Sequence, residues 1–537
     1  MSDEFYPPEG KPVVLTEYAH GMGNTPGNLK EYWDYMYSHE QYCGGFVWEF
    51  KSHGFYAEDE NGVPFSKFGG DFSKDELNHW MNFTIDGYLK SDLTPKPGLF
   101  ELKEAVAPVR VHLENGKIIC TNTNDFIDLS YLTLTWKLLE DYTVLKEGTL
   151  GMPGIPARSS DVLDIPANIE KVIPGAVYRV DLRFNDGDKE VAHKQVELPE
   201  KLAKELFETT PFEYKISTFA STLTVSGNNF DITFTDGLPS KYIKDGNIIF
   251  DGKMKFNFFR AIIDNDHIRS FPESIWEFHK MHVYRFTSEA VSVKEKEDRV
   301  CINVSGKATH QGLVSGFMLD TEFTIFKDGI MLTEIHATPF GQMHNTMLRF
   351  GVVFEMAKQY DNVSWYGRGE IENYCDRNLS APFGLYSTKV ENMNFSYEIP
   401  QECGTRIDVR FATVSSKDAS LNIIGCDSLT FSYHDFSQEA LHKALHENEL
   451  KKSDRNYLYV DYAMRGLGNH SCGPDPEPQY ELPVHEFKFT FALASGLDND
   501  EANELSKKDF GTRSVKITEG YENPTFERIM QMFDCDR

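Results

Sequence analysis

Glu17 ends a short aliphatic run, Val13-Val14-Leu15-Thr16, and is followed by His20 and the turn-forming Gly21-Met22-Gly23-Asn24. A (β/α) barrel presents its reactive groups in this way, as a carboxylate at the C-terminal end of a buried strand with a glycine-rich loop after it. The glycines let the backbone approach a ligand closely. A second apolar run, Gly45-Phe46-Val47-Trp48-Glu49-Phe50, carries an indole to a similar position. Trp48 reads either as an apolar platform beneath a ligand or as a plain core residue. Glu49 alternates to the other side of that strand and reads as structurally paired. His442 and His446 stand at i and i+4 on a predicted helix, as zinc ligands can. They lack a glutamate directly after the first histidine and an evident third ligand, so they read as solvated helix histidines. Gly466 and Gly468 also fall short of a nucleotide-binding fingerprint.

The elements that must position these groups fall into four segments. Residues 1–106 alternate strand and helix: Val13–Leu15, Asn28–Ser38, Gly45–Phe50 and Gly98–Ala105, with a polar excursion through Gly69-Gly70-Asp71-Phe72. That is α/β grammar. Over residues 107–208 the period becomes two. Leu132, Leu134, Trp136 and Leu138 alternate with polar residues, as do Tyr178, Val180, Leu182 and Phe184, which predicts an immunoglobulin-like β-sandwich. A hinge-like Glu208-Thr209-Thr210-Pro211 then leads into residues 212–495, predicted as a large two-sheet β-sandwich. Its turns include Gly227-Asn228-Asn229 and Asp236-Gly237, its helix runs Ser437–Leu450 with Ser437 as N-cap, and Phe487, Phe489, Phe491 and Leu493 mark its final strand. Residues 499–537 read as an acidic tail with a short helix, Asn523 capping and Phe526, Ile529, Met530 and Phe533 on one face. The fold class is mainly β: the C-terminal fragment of a (β/α)8 barrel and two β-domains.

Composition narrows the partners. Of 537 residues 40 are Phe and 25 Tyr, enough for large cores. A net charge of −29 repels phosphate backbones and anionic lipid, so nucleic acid and membrane surfaces are excluded in favour of neutral ligands. No apolar run approaches the roughly 18–20 residues of a membrane helix. The eight cysteines are scattered without C-x-x-C spacing, as in a reduced, cytoplasmic protein.

The stretch around Glu17 resembles the nucleophile strand of β-galactosidases of glycoside hydrolase family 2, and Gly44–Phe50 resembles the next barrel strand. Gly69–Phe72, Asn82-Phe83-Thr84-Ile85-Asp86-Gly87 and Thr94–Leu99 match further segments in order. In the large β-domain, Asn257-Phe258-Phe259-Arg260-Ala261 with Asp264-Asn265-Asp266, Trp365–Gly369 with Glu372-Asn373-Tyr374 and Asp376-Arg377, and Tyr397–Glu402 match equally. Dense charge of this kind on strands reads as a buried, mutually satisfied network, architectural rather than catalytic. The resemblance implies that Glu17 is the nucleophile of a retaining glycosidase. It implies that His20, Trp48, Asp86 and Cys472 bind substrate, with Trp48 beneath galactose and Cys472 on the aglycone side, where some relatives carry Trp. Phe83, through its carbonyl, and Asp86 inherit a site for Na+ or K+. The acid/base glutamate and the Mg2+ ligands of the family are expected upstream of the matched region, outside this chain.

Two functional classes follow. The first is a β-galactosidase portion acting on galactosides, active when the rest of the barrel is supplied by an N-terminal partner chain or a longer gene product, with a homo-oligomer as another arrangement. The second is a catalytically silent, carbohydrate-binding or structural β-sandwich module.

Overall fold

Strands β1 (Val13–Tyr18) and β2 (Tyr42–Val47) run parallel, with Leu15 opposite Gly45, and helix α1 (Leu29–Ser38) joins them. This is the start of the computed structural model, which describes residues 10–72, 81–267, 274–310 and 314–512. Helix α2 (Pro97–Ala105) begins with Pro97, whose missing N–H is no loss in a first turn. β2 ends earlier than its apolar run suggests. Beyond Val47 the backbone leaves the ladder: the Trp48 carbonyl accepts from Gly21 N, Glu49 N donates to the Asp86 carbonyl, and the Phe50 carbonyl accepts from Leu89 N.

The next segment is a sandwich of seven strands. Val109–Glu114, Lys117–Asn122 and Ser160–Leu163 form one sheet. Thr133–Glu140, Thr143–Gly151, Tyr178–Asp186 and Lys189–Glu197 form the other. The period-two pattern is the reason: Leu134, Trp136 and Leu138 lie opposite Phe184, Leu182 and Val180, and all six are buried between the sheets. The residues just before the 208–211 linker are anchored. Glu205–Leu206 pairs in parallel with Lys508–Asp509, and Phe207 stacks on Phe510 at 4.6 Å.

The large β-domain contains a five-stranded meander, from Lys215–Phe219 to Asn247–Phe250, and a twelve-stranded sheet. The Asp236-Gly237 turn of the meander has φ of 51° and 83°, which Asp and Gly tolerate best. In the larger sheet the long strand Ser420–His434 branches, its first half pairing with Phe487–Ser495 and its second with Arg455–Met464. The sheet ends nearly meet, Phe256 lying 4.9 Å from Phe286. Phe487, Phe489, Phe491 and Leu493 are buried in this core.

Two expected helices differ. Ser437 does cap a helix, its hydroxyl accepting from Ala440 N, but the helix spans only Gln438–Lys443. His446 and Glu447 are pulled away from it, to Asp71 and to Lys90 with the Ser66 amide. A helix at Asn499–Ser506 stands where only tail was expected, started by an Asp498–Glu501 capping box. The expected helix after Asn523, with Phe526, Ile529, Met530 and Phe533, lies outside the described residues. Among the described residues no helix is long and apolar enough to cross a membrane.

Two histidines of this domain, the buried His434 and the half-buried His344, are held neutral. Burial, with Arg349 and Arg406 nearby, pushes His434 down to about 3, and burial pushes His344 down to about 4. Both titrate near 6.5 when unfolded. Below that pH the unfolded chain binds protons that the folded chain refuses, so stability falls as pH drops. The urea midpoint should therefore fall between about pH 7 and about pH 5, and fall less in His434→Gln; equal slopes in the two proteins would remove His434 as a source.

Candidate active site

Glu17, at the end of β1, is exposed on a cleft of about 350 Å3 whose walls include Tyr18, His20, Tyr32, Cys472 and Pro474. β1 and α1 supply one wall, and the Arg465–Pro474 loop of the large β-domain supplies the other. The Tyr18 and Tyr32 rings meet edge to face at 5.5 Å, and burial pushes both hydroxyls up to about 12, so they remain protonated donors at neutral pH.

Beside the cleft, one carboxylate gathers two of the expected ligand-binding groups. Asp86 Oδ2 lies 3.3 Å from His20 Nε2 and accepts from Trp48 Nε1 at 3.1 Å. His20 and Asp86 are buried, while 41% of Trp48 is exposed, so its indole is anchored at one edge and open on the rest. Phe83 is 44% exposed and its ring stands edge-on to His20 at 6.2 Å. Asp86 Oδ1 and His20 Nδ1 are buried without a hydrogen-bond partner. Glu49 is paired, but not on the side away from Trp48 that alternation predicted: beyond the end of β2 it meets the same Asp86 that holds the indole, and His53 at 3.2 Å. Burial and the neighbouring Asp86 push it up to about 7. Burial would raise Asp86 too, but hydrogen bonds from His20 and Glu49 outweigh it and lower it.

The glycines after Glu17 serve a different purpose from the expected approach to a ligand. A Cβ on Gly21 would meet the Asp86 carbonyl at 2.7 Å, and one on Gly23 would meet Asp264 Oδ2 at 2.1 Å. The turn is packed against protein on both sides. Much of that protein is the motif-rich network of the large β-domain, which is therefore more than self-contained architecture. Asn24 Nδ2 donates to Tyr374 OH and to the Glu402 carbonyl, and Asn24 Oδ1 accepts from Tyr397 OH. Gln401 Oε1 accepts from Asn24 N, and Asp264 Oδ1 accepts from Asn82 Nδ2 at 2.5 Å. Nothing local in the sequence marks Asp264 or Gln401 as neighbours of the site, because their partners are hundreds of residues away.

Glu17, His20 and Cys472 thus share one cleft, and Trp48, Phe83 and Asp86 gather around His20. The two helix-zinc candidates do not meet: His442 Nε2 pairs with Glu277 at 2.9 Å and His446 Nε2 with Asp71 at 2.9 Å. They are partnered with carboxylates rather than solvated.

A strand-end carboxylate on a barrel-type parallel pair, followed by an immunoglobulin-like sandwich and a large β-domain, is the plan of a multidomain carbohydrate-active protein. Family models agree segment by segment: the TIM barrel domain of glycosyl hydrolases family 2 matches residues 3–111, β-galactosidase domain 4 matches 118–199, and the β-galactosidase small chain matches 226–493. The chain belongs to glycoside hydrolase family 2, as a C-terminal portion of the β-galactosidase type. The β-galactosidase of Actinobacillus pleuropneumoniae is 30% identical over 499 residues, covering 90% of this chain and 48% of its own length. That of Kluyveromyces lactis is 30% identical over 496 residues, covering 90% and 47%. The chain spans about half the length of the curated relatives it matches. A solved galactose 1-epimerase from Lactobacillus acidophilus NCFM covers 53% of this chain and 99% of its own at 10% identity and a TM-score of 0.32, too low a likeness to carry weight.

Because Gly23 has φ of +60° and no room for a methyl group, Gly23→Ala should destabilise the chain by about 1–3 kcal/mol and displace the turn after Glu17. Chemical denaturation checks the first effect and limited proteolysis of the first segment the second; an unchanged midpoint would show that the turn adapts.

Proposed function

We propose that the chain forms one side of the active site of a retaining β-galactosidase that hydrolyses terminal non-reducing β-D-galactose residues. The observation that carries this reading is the convergence of Glu17, His20 and the Cys472 loop on one cleft, with Trp48 fixed beside it through Asp86.

In this reading Glu17 attacks the anomeric carbon of a bound galactoside and forms a galactosyl-enzyme. A second carboxyl, about 5–5.5 Å from the first in retaining enzymes, protonates the leaving oxygen and later takes a proton from water. In this reading the second belongs to strands that complete the barrel rim, in the same polypeptide or in a partner chain, Glu17 being the one carboxylate among the described residues lining the cleft. Trp48 gives the sugar ring its apolar floor. His20 is held by Asp86 to meet a sugar hydroxyl. Cys472 faces the leaving group, and without a stacking face it grips an aglycone less than an aromatic residue would.

Phe83, through its carbonyl, and Asp86 would hold Na+ or K+. The buried, unpartnered Asp86 Oδ1 suits a hard cation that prefers oxygen. Such an ion supplies a positive anchor for the galactose 6-hydroxyl. Mg2+ belongs to the remainder of the enzyme. The scattered cysteines, without C-x-x-C spacing, support a cytoplasmic setting.

Mixing the chain with the upstream barrel portion of the enzyme should produce hydrolysis of a β-galactoside. In that mixture Glu17→Gln should lower kcat by roughly 10^4-fold or more, as loss of one member of a cooperating catalytic unit does. A fully active Gln variant would sink the nucleophile assignment, and turnover by the chain alone would require a second carboxylate within it. Asp86→Ala should raise KM and abolish the response to Na+ or K+; retained cation dependence would move that site elsewhere.

A further inference from the structure

We infer that the Asp264-Asn265-Asp266 run of the large β-domain positions the two sides of the cleft separately, Asp264 acting on the segment that carries Phe83 and Asp86, and Asn265 on the loop that carries Cys472. The names of those sides, sugar and leaving group, rest on the function proposed above; the positioning itself does not.

Asp264 uses both oxygens. Oδ1 accepts from Asn82 Nδ2 at 2.5 Å, directly before Phe83, and Oδ2 accepts from Gln401 Nε2 at 3.0 Å. Gln401 in turn accepts from the amides of Asn24 and Asp264. Asp264 therefore ties the segment before Asp86 to the turn after His20.

Asn265 faces the other way, with its full hydrogen-bonding capacity in use. Its Nδ2 donates to the carbonyls of Leu467 at 3.0 Å and Gly468 at 2.7 Å. Its Oδ1 accepts from Ser471 N at 2.9 Å and Ser471 Oγ at 2.6 Å. One buried side chain thus fastens both ends of the 467–471 span, and Cys472 is the next residue. Asp266 anchors the run, paired with Arg260 at 2.9 Å and Arg465 at 3.4 Å. The three neighbours share a rigid base and no direct partner. The two sides touch each other only through the intervening turn, where Gly27 N donates to the Gly468 carbonyl and Asn469 Nδ2 to the Gly27 carbonyl, so the 81–88 segment and the 466–473 loop should each loosen chiefly with its own anchor.

Hydrogen exchange on the full chain tests this without any assay of activity. Asn265→Ala should speed exchange of amides in 466–473 by about tenfold, the scale set by losing buried hydrogen bonds, and leave 81–88 unchanged. Asp264→Ala should do the reverse. Ser471→Ala, which removes one hydroxyl and no backbone partner, should give a smaller change confined to 466–473. In the assembled enzyme Asn265→Ala should shift, several-fold, the KM ratio between β-galactosides differing only in leaving group, at unaltered half-saturating Na+. Asp264→Ala should shift the Na+ requirement and spare that ratio. Loosening of both segments by either variant, or of neither, would overturn the inference. If the assembled wild-type protein hydrolyses no galactoside, the proposed function falls while the exchange pattern still decides the positioning.

Discussion

Every residue from Tyr18 to Leu29 is buried, and most of that stretch is neither strand nor helix. A buried loop cannot leave its N–H and C=O groups to water, so each must find a partner in the protein. Those partners come from far along the chain. Gly27 N donates to the Gly468 carbonyl, Asn28 N to the Asp376 carbonyl, and Asn469 Nδ2 to the Gly27 carbonyl. Leaving any one of these groups buried and unpaired costs about 1–3 kcal/mol. The position of Glu17 and His20, which enter this turn, is therefore set by residues beyond Asp264 as much as by β1.

The charged groups behind the turn obey the same logic with larger stakes. Arg260, Arg349 and Arg377 are fully buried. Arg349 meets Asp461 at 2.6 Å, and Arg377 meets Glu372 at 3.0 Å while also reaching the Thr25 carbonyl. Buried ion pairs add little net stability, because desolvation offsets their attraction, but removing one partner strands a charge at a cost of about 3–5 kcal/mol. Such a network penalises alternative packings more than it stabilises the native one. That suits a domain whose contribution to the site is geometry.

What the sequence announced and what it concealed divide along the same line. Patterns with one buried face were legible: Leu134, Trp136 and Leu138 alternate, and they lie opposite the alternating Phe184, Leu182 and Val180. Glu17, Trp48 and Cys472 were legible as motif positions, and Glu17 and Cys472 do share a cleft. Boundaries set by distant partners were not. Nothing local says that helix Gln438–Lys443 stops so that His446 can reach Asp71, or that β2 ends at Val47 so that Trp48 can meet Gly21. The capping box at Asp498–Glu501 is a local signal, obscured by the acidic composition around it. The links from Asp264 to Asn82 and from Gln401 to Asn24 carry no local signal at all, since each residue alone is an ordinary polar side chain on a β-domain.

The same division explains the uneven finish of the cleft. Toward the large β-domain it is closed, hydrogen-bonded and buried. Toward the open side, β1 and β2 stand as a two-stranded parallel sheet, with Val14 46%, Phe46 69% and Phe50 64% exposed. Parallel strands are almost always covered on both faces and paired at both edges, because their crossovers bring helices and further strands with them. An isolated parallel pair with aromatic residues facing water is a surface that attracts strands of its own kind. Further barrel strands docked there would pair the free edges and cover Phe46 and Phe50 in one step. Under the proposed function they would also bring a second carboxyl to the rim beside Glu17. Under the proposed function, then, completing the fold and completing the chemistry are a single event, with the β-domain holding its half of the site in place beforehand.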